Sequence, residues 1–165
     1  MNKILFFILF LSCSIYCQQK KIYQNIGKIV SETQKIVSVK KGEQIDTAAF
    51  RKLFLPTANF TVVGEENGKK LHETMSLNEF LKTLTDEYYS KGFFESGTGE
   101  IIENYKGIAH VMQSFYGKDS DGVKAYGVNS YQLIYSEKRW WIANMVWTMS
   151  TNNGKDIPKK YMKNN

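Results

Sequence analysis

Between residues 107 and 150 the chain runs through three apolar stretches rich in β-branched and aromatic residues. They are broken by Gly117-Lys118-Asp119-Ser120-Asp121-Gly122 and by Ser136-Glu137-Lys138-Arg139. Runs of this length between turn-forming residues predict a three-stranded antiparallel meander. Upstream, residues 93–105 predict a fourth long strand, interrupted at Gly97 and Gly99, where a bulge or sharp bend is expected. The N-terminal half has a different period. Ile22, Ile26, Ile29, Val30, Ile36 and Val37 recur at three- and four-residue steps, which puts them on one face of a helix over residues 22–39, closed by Lys40-Lys41-Gly42. Asp46 caps a short helix over 47–55 that Pro56 stops. Residues 58–63 and 70–75 read as strands about a turn at 64–68. Ser76 with Glu79 then forms a capping box for a third helix, running through Phe80, Leu81, Leu84 and Tyr88 to Gly92.

Side chains alternate between the faces of a strand, so loop parity decides which of them meet. With even loops at both reversals of the meander, Tyr135 faces Trp140, Tyr131 faces Asn144, and His110 faces Asn129. One face then gathers His110, Asn129, Tyr131, Tyr135, Trp140 and Asn144, with Ile108, Met112, Leu133, Ile142 and Val146 among them. The other gathers Val111, Val128, Ile134, Trp141, Ala143, Met145 and Trp147. Both faces are too apolar for open water, so helices are expected over one and further protein, such as a second copy, over the other. Polar groups set among large rings on the first face suit a ligand cavity.

The segments Asp46-Thr47-Ala48-Ala49-Phe50-Arg51-Lys52-Leu53-Phe54 with Pro56-Thr57-Ala58, then Gly107-Ile108-Ala109-His110-Val111, and Arg139-Trp140-Trp141-Ile142 leading to Trp147 carry a resemblance. In them the chain resembles the nuclear transport factor 2-like superfamily, also known as the SnoaL-like or ketosteroid-isomerase-like fold. The resemblance covers nearly all of residues 18–150 and implies an α+β fold. In that fold a curved mixed, mainly antiparallel sheet is wrapped by three N-terminal helices into a cone. It implies that the open cone holds a ligand or active site and that the other sheet face makes a homodimer. Enzymes of the superfamily use an acid as proton carrier, and here the chain departs from the pattern. Thr57 stands where an acid usually follows the proline, and residues 58–64 contain no Asp or Glu. Glu95, Glu100 and Glu103 remain on the long strand. Glu95 and Glu103 would share a face if the strand were regular, which the glycines at 97 and 99 argue against.

Composition and charge narrow the classes. The chain has 165 residues, 42% of them hydrophobic and 14% aromatic, enough for one domain with a real core. The formal charge of +6 comes from scattered lysine pairs such as Lys40-Lys41 and Lys69-Lys70. No basic stripe interleaved with aromatics exists, so a nucleic-acid partner is not expected. Lys3, then the apolar run 4–11, then the segment 12–17 before Gln18-Gln19-Lys20-Lys21 read as a secretory signal peptide cut after Cys17. The alternative is lipoprotein processing at Cys13. The expected location is the periplasm or the cell exterior, with no stable membrane span in the mature chain. Cys13 and Cys17 both fall in this leader, which leaves residues 18–150 without a disulfide, a thiol nucleophile or a thiolate metal site. Residues 151–165 form a polar tail in which Ile157, Pro158, Tyr161 and Met162 are expected to lie back on the domain.

The two histidines stand apart from any helical acid at ligand spacing, so no metal and no cofactor is expected. Gly97-Thr98-Gly99 lacks the following helix that a phosphate loop needs. His72 sits by the Lys69-Lys70 turn as a surface residue. The expected ligand-binding set is His110, Asn129, Tyr131, Trp140 and Asn144, taking a small apolar or aromatic molecule without catalysis. One alternative is an isomerase, dehydratase or cyclase with His110 as base. Another is an envelope interaction module acting through an outer face around Trp141, Met145 and Trp147.

Overall fold

The computed structural model describes residues 22–162. The leader read over residues 1–17, with both cysteines, lies outside the described residues. Helix α1 (Ile26–Val37) begins where the Asn25 side chain accepts from Lys28 N at 2.9 Å, later than the apolar period alone suggests. It buries Ile29, Val30, Thr33, Gln34 and Val37. Helix α2 (Thr47–Arg51) is capped by Asp46, whose carboxylate accepts from Ala49 N at 2.8 Å. It ends before Pro56 because strand β1 (Phe54–Glu66) has already started. Pro56 lies inside β1 without breaking it. The register of β1 against its neighbour shifts between Phe54 and Asn59, so the missing N–H falls where the ladder is interrupted.

Strand β2 (Lys69–Ser76) returns from β1 about two residues, tighter than the 64–68 stretch read as the turn. Asn67 and Gly68 both take positive φ, 50° and 75°, the Asn-Gly solution for a two-residue hairpin. The capping box of α3 (Leu77–Thr83) is present, with Ser76 N donating to Glu79 Oε2 at 2.8 Å. The third helix does not reach Gly92 in one piece. Asp86 accepts from Tyr88 N at 2.8 Å and restarts it as α4 (Glu87–Ser90).

Strands β3 (Phe93–Tyr105), β4 (Ile108–Asp119), β5 (Lys124–Ser136) and β6 (Arg139–Met149) follow as an antiparallel run. The six-stranded sheet has the order β2-β1-β6-β5-β4-β3, with β1 parallel to β6 and every other pair antiparallel. This is the mixed, mainly antiparallel sheet of an α+β fold, left open and packed by helices on its concave side. Four phenylalanines tie helices to sheet there, with Phe60 and Phe80 stacked 4.1 Å apart and Phe50 and Phe54 4.8 Å apart. Among the described residues no helix is long and apolar enough to cross a membrane.

The even-loop register is corrected at two places. Lys118 pairs with Lys124, so the β4–β5 loop holds five residues, an odd number. Asp119 Oδ1 closes that loop by accepting from Asp121 N and Val123 N at 3.0 and 2.9 Å. His110 therefore pairs with Gln132, and Asn129 pairs with Gln113. The β5–β6 turn is even, and Tyr135 does face Trp140. A bulge then takes up Ala143, so that Leu133 pairs with Ile142 but Gln132 pairs with Asn144 and Tyr131 with Met145. Asn129, Tyr131, Met145 and Trp147 consequently face inward, and His110, Ser130, Gln132 and Asn144 face outward. Met145 and Trp147, read as outer-face residues, belong to the interior.

Beyond β6 the chain turns back across the convex side, as the apolar residues of the tail predict. Ile157 is buried, and a 3-10 turn (Lys159–Tyr161) packs on β3 and β4. Ser114 Oγ donates to the Tyr161 carbonyl at 2.6 Å.

Candidate functional site

On β3, Phe93 and Glu95 project to the concave side, and Glu95 lies opposite Gly117, which pairs in turn with Ala125. Two nearly side-chain-free positions beside a carboxyl leave a hollow. The result is a cavity of about 220 Å³ roofed by α3 and α4. Phe80, Leu84, Tyr89, Phe93 and Trp147 supply apolar walls, while Thr33, Glu95 and Asn129 supply the polar atoms. A few convergent polar groups within an apolar wall is the arrangement expected of a small-molecule site.

The electrostatics follow from burial. Loss of water pushes the Glu95 carboxyl from its ordinary 4.5 up to about 7, against the opposing pull of the nearby Gln34 and Asn129 amides. Those amides approach the carboxyl without completing well-formed hydrogen bonds. Gln34 Nε2 and Asn129 Nδ2 are buried with no partner among the described residues. Tyr89 is pushed up to about 12 by burial, with the Glu95 charge adding to it. Behind Asn129, the fully buried Tyr131 shares a hydrogen bond with the Thr33 hydroxyl at 3.3 Å. Burial raises its pKa too, and the Thr33 contact opposes the rise.

Of the residues expected to form the site, the fold brings Asn129 and Tyr131 to the cone interior. Trp140 also packs against the core but stands at the far end of β6, its ring 5.3 Å from Tyr135, outside the cavity lining. His110 and Asn144 are on the other side of the sheet. There His110 Nε2 meets Ser130 Oγ at 2.8 Å, and Asn144 Nδ2 donates to Gln132 Oε1 at 3.0 Å. Glu95 and Gln34 join Asn129 in their place. The signal for Glu95 was in the strand itself, a carboxyl alternating with Phe93 opposite a glycine.

The described residues include no group of three or more His, Cys, Asp or Glu side chains placed to hold a metal ion. Compared by sequence, the chain matches no family model, and no curated protein matches it. Compared by structure, it is similar to an NTF2-like protein with a cystatin-like fold from Novosphingobium aromaticivorans, with a TM-score of 0.62 and 9% identity. That match covers 86% of this chain and 89% of the other. An NTF2-like protein of unknown function from Shewanella baltica matches with a TM-score of 0.54 and 13% identity over 83% of this chain and 98% of the other. A protein named as a candidate scytalone dehydratase, also from Novosphingobium aromaticivorans, matches with a TM-score of 0.55 and 10% identity. It covers 76% of this chain and 82% of its own. At such identities the likeness is one of architecture, and by that architecture this chain has the nuclear transport factor 2-like fold.

Proposed function

We propose that the cone binds a small, partly apolar carbonyl compound and that Glu95 moves a proton on it. One observation carries this reading: a carboxyl raised to about 7 in an apolar cavity beside two unpartnered amide donors. A base poised near neutral pH both accepts and returns a proton readily. Ionised Glu95 takes the proton from the carbon next to the carbonyl. The C–H electron pair becomes the new C=C bond, and the carbonyl pair moves onto oxygen. Asn129 Nδ2, held by its neighbours and lacking a partner, donates to that oxygen as its charge grows. Returning the proton to a different carbon is isomerisation, and giving it to a departing β-hydroxyl is dehydration with loss of water. Glu95 thus takes the part that the sequence reading gave to His110. The likeness in fold to a candidate scytalone dehydratase supports the reaction class by analogy alone.

The test is deuterium uptake from heavy water at the α-carbon of compact cyclic and aryl ketones, followed by mass spectrometry. Exchange is expected with the native chain and is expected to fall by about 10²-fold or more in Glu95→Gln. Equal exchange by the variant overturns the assignment. Binding without turnover is the second reading, favoured by Glu95 being the single acid of the described lining. It predicts ketones that raise the melting temperature while no deuterium enters. The 1–17 leader supports delivery of the domain to the periplasm or the cell exterior. An intact mass beginning at Gln18 supports that cut, and a lipid-modified Cys13 overturns it. Pairing of two copies through the exposed part of the outer face, where Ile108 and Val146 are exposed, is checked by sedimentation velocity.

A further inference from the structure

The sheet has two edges, β2 and β3, and they are finished differently. Along β3 lie α1 and the 3-10 turn, and Phe93 is bridged to Val39. Along β2 every residue from Lys69 to Thr74 is exposed, and no described strand pairs with its outer side. The turn fixes which backbone groups face outward. Glu66 and Lys69 close the two-residue Asn67-Gly68 reversal as a hydrogen-bonded pair, and such pairs alternate along an antiparallel ladder. Leu71 and Glu73 therefore spend their N–H and C=O groups on β1, while Lys70, His72 and Thr74 turn theirs to water. The 2.9 Å contact between the Thr61 and Thr74 hydroxyls agrees, because side chains approach most closely at the pairs without backbone bonds. A row of open donors and acceptors is a template for another strand.

The side chains indicate which strand fits. Lys69, Leu71 and Glu73 share the concave side of β2. Leu71 is 43% exposed, and its neighbour across the ladder is Gly64, so its own sheet offers it no side chain to pack on. Lys69 and Glu73 have no ion-pair partner among the described residues, whereas Lys70, on the other face, is held by Glu65. Laid antiparallel against itself about Leu71, the segment Lys69-Lys70-Leu71-His72-Glu73 sets Leu71 against Leu71 and each Lys69 against Glu73 of the other copy. We infer that β2 pairs in this register with β2 of a second copy, joining two sheets into one about a twofold axis at Leu71. Lys70 and His72 then exchange the backbone bonds, and their side chains meet on the convex side, where Glu65 already offsets the lysine. Centring the pair on His72 would instead oppose Leu71 to Glu73 and Lys69 to Met75, apolar against charged. Such an interface is small, so the association is weak and follows concentration. It uses a surface other than the outer face around Ile108 and does not depend on the chemistry proposed for the cone.

The experiment is sedimentation velocity on the full chain, run also in an Ile108→Lys background that removes pairing through the outer face. In both, reversible association is expected between about 10 μM and about 1 mM. Symmetry makes each charge count twice, so Lys69→Glu and Glu73→Lys should each weaken association by about tenfold or more, and the double variant should return to within about threefold of the native affinity. The register is read separately, in chains that also carry Cys13→Ser and Cys17→Ser. Leu71→Cys, on the axis and at the closest approach of the two strands, should form an interchain disulfide under mild oxidation faster than His72→Cys. The proposal is overturned by an absence of association in the Ile108→Lys background, by single reversals without effect, by a double variant as weak as the singles, or by faster cross-linking through His72→Cys.

Discussion

Glu95 makes stability depend on pH. Its carboxyl titrates at about 7 in the fold against 4.5 for an ordinary glutamate, so between these values the folded chain keeps a proton that the unfolded chain has lost. Stability is complete below the lower value and falls as pH rises to the upper one, by up to ~3 kcal/mol. Urea unfolding at pH 5 and pH 8 should show this fall in the native chain and not in Glu95→Gln. Gly127 has a different constraint. A β-carbon there would stand 2.4 Å from Thr148 O and 2.6 Å from the Phe115 ring, and the first of these is backbone of the neighbouring strand. Gly127→Ala should therefore destabilise by roughly 2–3 kcal/mol, measured by urea denaturation.

At the scale of elements, the Ala143 bulge decides what lines the cone. Deleting Ala143 would bring Ile142 directly before Asn144 and make β6 a regular strand with Met145 and Trp147 still inward. The deletion is expected to leave the tryptophan emission maximum in place, because the inward set of β6 is unchanged; a red shift would show that Trp147 had turned outward. Alternation, turn residues and caps were legible in the chain: the β5–β6 turn at Tyr135 and Trp140, the Ser76–Glu79 box and the break at Gly97 are all realised. Two features were not. The β4–β5 loop is odd because Asp119 gathers two backbone N–H groups, and other turns fit Gly117 to Gly122 equally well by composition. The bulge falls in Ile142-Ala143-Asn144, with no glycine to announce it. Each error moves residues to the opposite face, which is why His110 and Asn144 were grouped with Asn129. Asn129 and Tyr131 were found together because they share one strand and so keep their relation under any register.

For the molecule as a whole, the C-terminal strap matters to the convex face. It covers the β3–β4 region of the convex side and buries Ile157, while leaving Ile108 and the His110–Ser130 pair uncovered. Removing residues 151–165 should cost roughly 1–3 kcal/mol from lost apolar burial, read as a lower urea midpoint. It should also enlarge the surface through which copies associate, read as a higher sedimentation coefficient at high concentration.

The parallel pairing of β1 with β6 also orders events in time. The β1–β2 hairpin packs on α2 and α3 but has no sheet neighbour other than the last strand to be synthesised, so while a ribosome is still adding residues 139–149 the edge of β1 that takes β6 stays unpaired. Completion of the sheet is then a late, single event set by the pairing of the two strands farthest apart along the chain, and folding should be slow for a protein of this size.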